Sequence, residues 1–382
     1  MDKPYIICSR CVMDTSVPDI TFDKNNVCNY CSNFLERSSH ILSRDPSQRR
    51  FEREAFLKKV KNSGKGKQYD CVIGVSGGVD SSWALVQAVK LGLRPLAVHM
   101  DNGWDSELAQ NNIANLIKRL DVDLFTHVIN WEEYRNLMQA FFDADVIDVE
   151  LLYDNAMLAV NYQQASRHGV KFILAGTNRA TEGMPMPQDW VWLKFDKRNI
   201  KSIAKRFGNI RLTTFPSIGT LGYIYYEFIN NIRWISFLDY FEYNKFEAIK
   251  ELEEEFDYKP YPYKHYESIF TRFYQGYILP NKFNVDKRRV HLGTLIASNQ
   301  MKREQATLDM KGIPYPSESA QEDDIIYFLK KMGWTLQELQ EYIGRPSKNH
   351  TSYPSERFFW DGCVKIYKLF KSNLRKSKSG PK

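Results

Sequence analysis

The stretch "VIGVSGGVDSSWALVQAV", Val72 to Val89, decides the fold. An apolar run up to Val75 reads as a buried strand. Two glycines and three serines then form a corner, and the residues from Asp80 onward read as a helix ending at Gly92. Gly77 and Gly78 permit a tight turn and close backbone approach, and the helix start offers unpaired N–H groups and a positive dipole end. Ser76, Ser81 and Ser82 add hydroxyl groups at the same corner. Such a corner suits an anionic, oxygen-rich ligand, and phosphate fits best. No lysine occurs between Ser76 and Ser82, so this is not a Walker loop, and the Gly-x-Gly-x-x-Gly of a dinucleotide site is also absent.

Strands and helices alternate outward from this corner. "YDCVIGV", "RPLAVHM", "DLFTHVI" and "VKFILAG" read as strands, and "DSSWALVQAVKLG", "SELAQNNIANLIKRL" and Asp154 to Arg167 as helices. The expectation is an α/β fold with a parallel sheet covered on both faces and ligands at the carboxyl ends of its strands. Three polar clusters follow three of the strands: "SGGVDSS" (Ser76 to Ser82), "DNGW" (Asp101 to Trp104) and "GTNRATEG" (Gly176 to Gly183). A parallel sheet brings all three to one edge. Asp101, Asn102, Gly176, Thr177, Asn178 and Glu182 are therefore candidates for the same cleft, against the plainer alternative of loop polars and caps.

Four of the six cysteines fall as Cys8-x-x-Cys11 and Cys28-x-x-Cys31. Two such knuckles at this separation place four thiolates around one metal, and the spacing is that of a zinc ribbon. A segment this short has almost no core, so the metal would supply most of its folding energy. Two disulfides or a redox pair are the alternatives, and iron competes with zinc. A closed all-thiolate site has no open position, which makes the module structural. Cys71 and Cys363 read as small buried hydrophobes.

Hydrophobic residues make up 43% and charged residues 26% of the 382, which excludes a largely disordered chain. "MDKPYIICSRC" contains no apolar core of signal-peptide length, so a cytoplasmic location is expected. "YIYYEFINNIRWISFLDYF", Tyr223 to Phe241, is interrupted by Glu227, Arg233 and Asp239 and reads as an aromatic helix in a core or interface, not a membrane span. The net charge of +7 is concentrated in Lys58, Lys59, Lys61, Lys65 and Lys67 and in Lys371, Arg375, Lys376, Lys378 and Lys382; without these ten the remainder stands at −3. Both runs read as solvated flexible segments, and the body is not basic as a nucleic-acid binder would be.

"SGGVDSS" resembles the PP-loop, the SGGxDS motif of the ATP pyrophosphatases (adenine nucleotide alpha hydrolase-like fold). The resemblance implies that Ser76, Gly77, Gly78, Asp80, Ser81 and Ser82 hold the pyrophosphate end of ATP with Mg²⁺, Asp80 lying near the metal. The superfamily includes NAD, GMP and asparagine synthetases and tRNA-thiolating enzymes, so the motif indicates chemistry and not substrate. "CSRCVMDTSVPDITFDKNNVCNYC" (Cys8 to Cys31), "TNRATEGMPMPQDW" (Thr177 to Trp190), "KHYESIFTRFYQGYILPNKFNVDKRRVHL" (Lys264 to Leu292) and "MKREQA" (Met301 to Ala306) resemble the N-acetyl sugar amidotransferases of surface-polysaccharide and LPS biosynthesis. These implied relatives convert an acetamido group on a nucleotide-linked or nonulosonic sugar to an acetamidino group. The amide oxygen is adenylated by ATP, and ammonia then displaces AMP. Glu182 is the candidate for handling ammonium protons or Mg²⁺. Lys287 and Arg288 of "DKRR" are the candidates for phosphates or a sugar carboxylate, although a solvated helix face is the plainer alternative.

The chain shows no glutaminase nucleophile: Asp2 follows Met1, and Cys363 lacks a nucleophile elbow. The resemblance then implies a separate glutaminase of the histidine-biosynthesis type, with a cyclase-like barrel, as ammonia source. The expected organisation is a four-cysteine zinc-ribbon-like module (1–40), a polar linker or helix (41–68), the PP-loop domain (69–215), a mainly helical region for substrate or partner (216–360) and a basic tail (361–382). "NKFEAIKELEEEF" and "EDDIIYFLKKMGWTLQELQEYIG" are amphipathic stretches within the helical region, while Phe270, Phe273, Tyr274 and Tyr277 read as core. A PP-loop tRNA sulfurtransferase is the chief rival, since some also join CxxC pairs to a PP-loop. A non-catalytic nucleotide-binding scaffold is a second.

Overall fold

The computed structural model describes residues 4–378. Five parallel strands form one sheet: β1 (Cys71–Gly74), β2 (Pro95–Asp101), β3 (Leu124–Val128), β4 (Phe172–Ala175) and β5 (Arg233–Ser236), in the spatial order β3-β2-β1-β4-β5. Val72 pairs with Leu96 on one side and Ile173 on the other, so β1 is central. Its side chains divide by the pleat. Cys71 and Ile73 join a core with Phe56, Leu85 and Phe172, while Val72 joins the opposite core with Met100, Val160 and Ile173. Both faces are thus dry, as a parallel sheet requires. The chain reverses direction through the sheet between β1 and β4, and there the carboxyl-end crevice opens.

The helices that flank the sheet start where the local chemistry directs. Ser106 caps Glu107–Leu120 by accepting the Ala109 N–H, and Asn244 caps Lys245–Phe256. A helix not expected from the pattern, Trp131–Asp143, follows β3, and the next one begins at Leu151, slightly before Asp154. "EDDIIYFLKKMGWTLQELQEYIG" divides at Gly333 (φ 74) into Glu318–Met332 and Leu336–Gly344, the latter opened by a Thr335–Glu338 capping box.

Two expectations are corrected. Tyr223 to Phe241 is not one helix. A short helical stretch ends at Asn230-Asn231, where Asn231 takes a left-handed φ of 54, and the chain then enters β5 beside β4. The sheet therefore draws its edge strand from beyond residue 215. The lysine-rich stretch from Lys58 is also not a flexible connector. Lys58, Lys59 and Lys61 lie on the helix Pro46–Ser63, capped by Asp45, and Lys67 Nζ bonds the Gly169 carbonyl at 2.7 Å. The tail likewise continues the helix Arg357–Lys378, while Lys382 lies outside the described residues. Cys71 is fully buried and Cys363 half-buried. Among the described residues no helix is long and apolar enough to cross a membrane.

Candidate active site and metal module

β1 ends at Gly74, and within five residues the chain has turned into the helix Val79–Lys90. Gly77 makes this possible at φ 81, and a Cβ there would lie 2.9 Å from the Ala109 carbonyl. The serines tie the corner internally: the Ser76 N–H donates to Ser81 Oγ (3.2 Å), which donates to the Gly78 carbonyl (3.1 Å). The loop after β4 presses on the same corner, since a Cβ on Gly176 would lie 2.6 Å from the Asp80 carbonyl carbon. A cavity of about 480 Å³ opens here, lined by Ser76, Gly78, Asp80, Ser81, Gly176, Thr177 and Glu182. Gly77, Ser82 and Asn178 stand behind that wall. Ser82 is buried, and Asn178 caps the short helix Arg179–Glu182 through the Thr181 N–H.

Asp101 and Asn102 do not line the cavity. Asp101 accepts the Gly103 N–H (2.7 Å), and buried Asn102 accepts that of Trp104 (3.1 Å). Their loop instead pins a distant segment: the Ser106 N–H donates to the Glu267 carbonyl (2.9 Å), and the Ile269 N–H to the Trp104 carbonyl (2.8 Å). Behind the corner, the His99 ring bridges the Val75 carbonyl and the Asp105 carboxylate, each at 2.9 Å.

That pinned segment supplies groups that sequence reasoning did not single out. Lys264, His265 and Glu267 line the cavity opposite the glycines, joined by Lys245. Lys264 Nζ lies 2.8 Å from Glu182 Oε1. Burial pushes the Glu182 carboxyl up, but the Lys264 ammonium outweighs it and holds the group below the usual carboxylate range. Asp80 moves the other way, raised by burial and by the neighbouring Glu182 charge despite the nearby Lys264. Tyr243 Oη donates to Asp80 Oδ1 at 2.5 Å. Asp80 is half-buried at the glycine-serine corner and lines the cavity, and its carboxylate is a ligand type that suits Mg²⁺.

A second cavity, of about 860 Å³, adjoins the first, and Asp80, Lys245, Tyr261, Tyr263 and Lys264 line both. Lys287 and Arg288 line this second space, each already partnered: Lys287 Nζ with Glu150 Oε2 at 2.5 Å, and Arg288 with Asp286 at 2.7 Å. Phe270, Phe273 and Tyr274 are buried in the core and Tyr277 packs partly against it.

The four cysteines Cys8, Cys11, Cys28 and Cys31 are fully buried, with their sulfurs within 4.8 Å of one another. Cys8 and Cys31 Sγ are 3.9 Å apart and Cys11 and Cys28 Sγ 3.8 Å. A tetrahedral zinc with Zn–S of about 2.3 Å requires edges of roughly 3.8 Å. Backbone N–H groups of Cys28 and Met13 point at Cys8 and Cys11 sulfurs, as thiolate ligands favour. The donor set therefore fits a structural metal. Arg289 reaches the Val12 carbonyl and Asp14, and Arg303 the carbonyls of Cys8 and Cys11. The module is thereby fastened to the helix Arg288–Ala297, which walls the second cavity.

No curated protein sequence matches the chain. Among solved structures it overlaps an NH3-dependent NAD synthetase from Campylobacter jejuni subsp. jejuni NCTC 11168 (15% identity, 69% of this chain and 97% of that one, TM-score 0.31). It also overlaps an NMN synthetase from Francisella tularensis (15% identity, 56% and 99%, TM-score 0.27). A predicted tRNA methyltransferase subunit from Methanocaldococcus jannaschii DSM gives 16% identity, 43% and 67% coverage and a TM-score of 0.25. The family model described as "LPS biosynthesis protein WbpG-like, C-terminal domain" matches residues 267–367. Over these residues, which carry the wall of the second cavity from Arg272 to Pro316, the chain is similar to the WbpG-like C-terminal domain of LPS biosynthesis.

Proposed function

We propose that this protein is an ATP-dependent, AMP- and pyrophosphate-forming amidotransferase of surface-polysaccharide biosynthesis that converts the acetamido group of a sugar to an acetamidino group. The observation that carries the reading is the continuity of the two cavities across Asp80, Lys245 and Lys264. ATP with its β and γ phosphates on the Ser76–Ser82 corner directs its α-phosphorus toward that junction, and the second cavity supplies the acceptor. Mg²⁺ beside Asp80 would neutralise phosphate charge. The chain's own contribution is positioning and charge: Ser81 and Gly78 hold phosphate oxygens, and Lys245 and Lys264 face the charge that develops as pyrophosphate leaves. Adenylation turns the amide oxygen into a phosphate leaving group, which ammonia then displaces.

In this reading ammonia comes from a separate glutaminase of the histidine-biosynthesis type with a cyclase-like barrel. Thiol chemistry at the ATP site, as a sulfurtransferase needs, is disfavoured: Cys71 is fully buried in β1, and burial pushes its thiol far up.

The test is high-resolution mass spectrometry of acetamido sugars incubated with ATP, Mg²⁺ and ammonium. The expected product has O replaced by NH, accompanied by AMP and pyrophosphate, and Ser81→Ala abolishes it. Product formed from glutamine by this chain alone overturns the separate-glutaminase reading. Absence of AMP and pyrophosphate with every acetamido sugar overturns the enzyme assignment.

A further inference from the structure

Glu182 is committed to Lys264, so the proton released when nitrogen attacks needs another acceptor. The need is chemical. Addition of ammonia to the adenylated acetamido carbon gives a tetrahedral adduct bearing –NH₃⁺, which can revert by losing ammonia until that nitrogen is deprotonated. Only after that nitrogen loses a proton does collapse break the C–O bond to AMP and form the amidine.

Two histidines stand at the junction where this happens. His265 lines the first cavity and His291 the second, with ring centroids 5.2 Å apart. His265 is held at φ 66, a left-handed conformation uncommon outside glycine, though asparagine, aspartate and histidine adopt it more readily than other residues. Backbone strain of this kind persists where surrounding structure imposes it and clusters at active sites. The loop after β2 holds the segment just beyond His265, at Glu267 and Ile269, and His265 Nδ1 sits 3.6 Å from Glu267 Oε1. His291 lies on the first turn of Arg288–Ala297, and no hydrogen bond reaches its ring among the described residues.

Resting on the amidotransferase reading, we infer that His291 is the catalytic base of the amination half-reaction and that His265, backed by Glu267, carries the proton onward. The N–C bond forms, a proton passes from the attacking nitrogen to a ring nitrogen of His291, and AMP departs with the C–O electron pair. The positive charge stays on the protonated amidine that results, and the proton on His291 leaves by way of His265 and Glu267.

The surroundings suit a base that must start neutral. Burial and the charges of Lys264 on the facing segment, Lys287 at the cap of its own helix and Lys245 on Lys245–Phe256 all disfavour its protonated form. Asp80 and Glu182 across the junction are engaged by Tyr243 and Lys264. The same cations favour ammonia over ammonium in this space.

The test separates the half-reactions, using an acetamido sugar that the wild type converts, found by screening UDP-linked and nonulosonic sugars. ATP–pyrophosphate exchange reads adenylation, and mass spectrometry reads the amidine. For His291→Asn the expectation is exchange within about threefold of wild type, with amination from ammonium reduced roughly 100-fold or more. Hydroxylamine restores product formation, because its adduct loses a proton without a strong base. His265→Asn keeps the left-handed backbone and gives a smaller amination defect with the same selectivity, which guards against misfolding of the first variant. Exchange and amination falling together, or neither falling, overturns the assignment of the base. A wild type that forms no AMP with any acetamido sugar instead overturns the amidotransferase reading, and the relay with it.

Discussion

Lys264 Nζ and Glu182 Oε1, 2.8 Å apart, tie the loop after β4 to the segment that leads into the WbpG-like region. Both side chains are partly covered, and the pair sits where the two cavities meet. Lys264→Met leaves the carboxylate without its cation. The expected cost, reduced for partial exposure, is about 2 kcal/mol in urea unfolding, with a smaller loss in Lys264→Met/Glu182→Gln. Equal losses in the two proteins contradict the pairing.

Tyr243→Phe removes the hydroxyl that donates to Asp80. Burial already raises that carboxyl, and Tyr243 is among the groups that oppose the rise. Its loss lifts the Asp80 pKa further. If ionised Asp80 is needed for the metal, the acid limb of the AMP-forming rate moves to higher pH. A pH–rate profile at several Mg²⁺ concentrations checks this, and excess Mg²⁺ should move the limb back.

Glu133 is a stability element away from the site. Its carboxylate accepts the backbone N–H groups of Thr213 (2.9 Å), Thr214 (3.0 Å) and Phe215 (2.9 Å). Burial raises its pKa, but the Thr213 hydroxyl, which also donates to it, and these backbone donors outweigh burial and the net shift is downward. The stabilisation is therefore complete above the unfolded carboxyl pKa and is lost as pH falls through the lower folded value. Glu133→Gln is expected to cost about 2 kcal/mol at neutral pH and to flatten the acid side of the stability curve, measured by urea titration between pH 3 and pH 7 at roughly half-unit steps.

Metal analysis of the purified protein is expected to return about one zinc per chain, lost in Cys28→Ser. Because the module is fastened through Arg289 and Arg303, chelation should lower the thermal midpoint of the whole protein and not only unravel residues 8–31. An unchanged midpoint after complete metal removal rejects a structural role.

Arg289→Ala tests the fastening directly. It removes the ion pair to buried Asp14 and the bond to Val12 while leaving all four cysteines. Zinc should remain, and protease should cut sooner within residues 1–40, read by limited proteolysis with mass spectrometry.

Much of this was legible in the sequence, because the parallel sheet and the phosphate corner rest on local rules. Continuous apolar runs marked β1, β2 and β4, and Gly77 marked the turn. β5 escaped because its four residues sit in an aromatic run that also suits a helix, and the break at Asn230-Asn231 was the only warning. Asp101 and Asn102 shared the polar character of site loops, but backbone bonds turned their loop toward residues 267–269. Lys264, His265 and Glu267 lay in plain view as K-H-x-E within a stretch lacking helical periodicity. Nothing local, however, places that run opposite a glycine corner nearly two hundred residues earlier.

Arg303 donates to the Cys8 and Cys11 carbonyls across 295 and 292 residues of chain, and Arg289 to Val12 across 277. The amino-terminal module therefore receives its support only once the last third of this chain is present. Until then a loaded metal can hold the four cysteines together but cannot seat them, and loop closure over such a span is slow. Truncation before Arg289 would consequently leave the amino-terminal module folded around its metal without a place to dock.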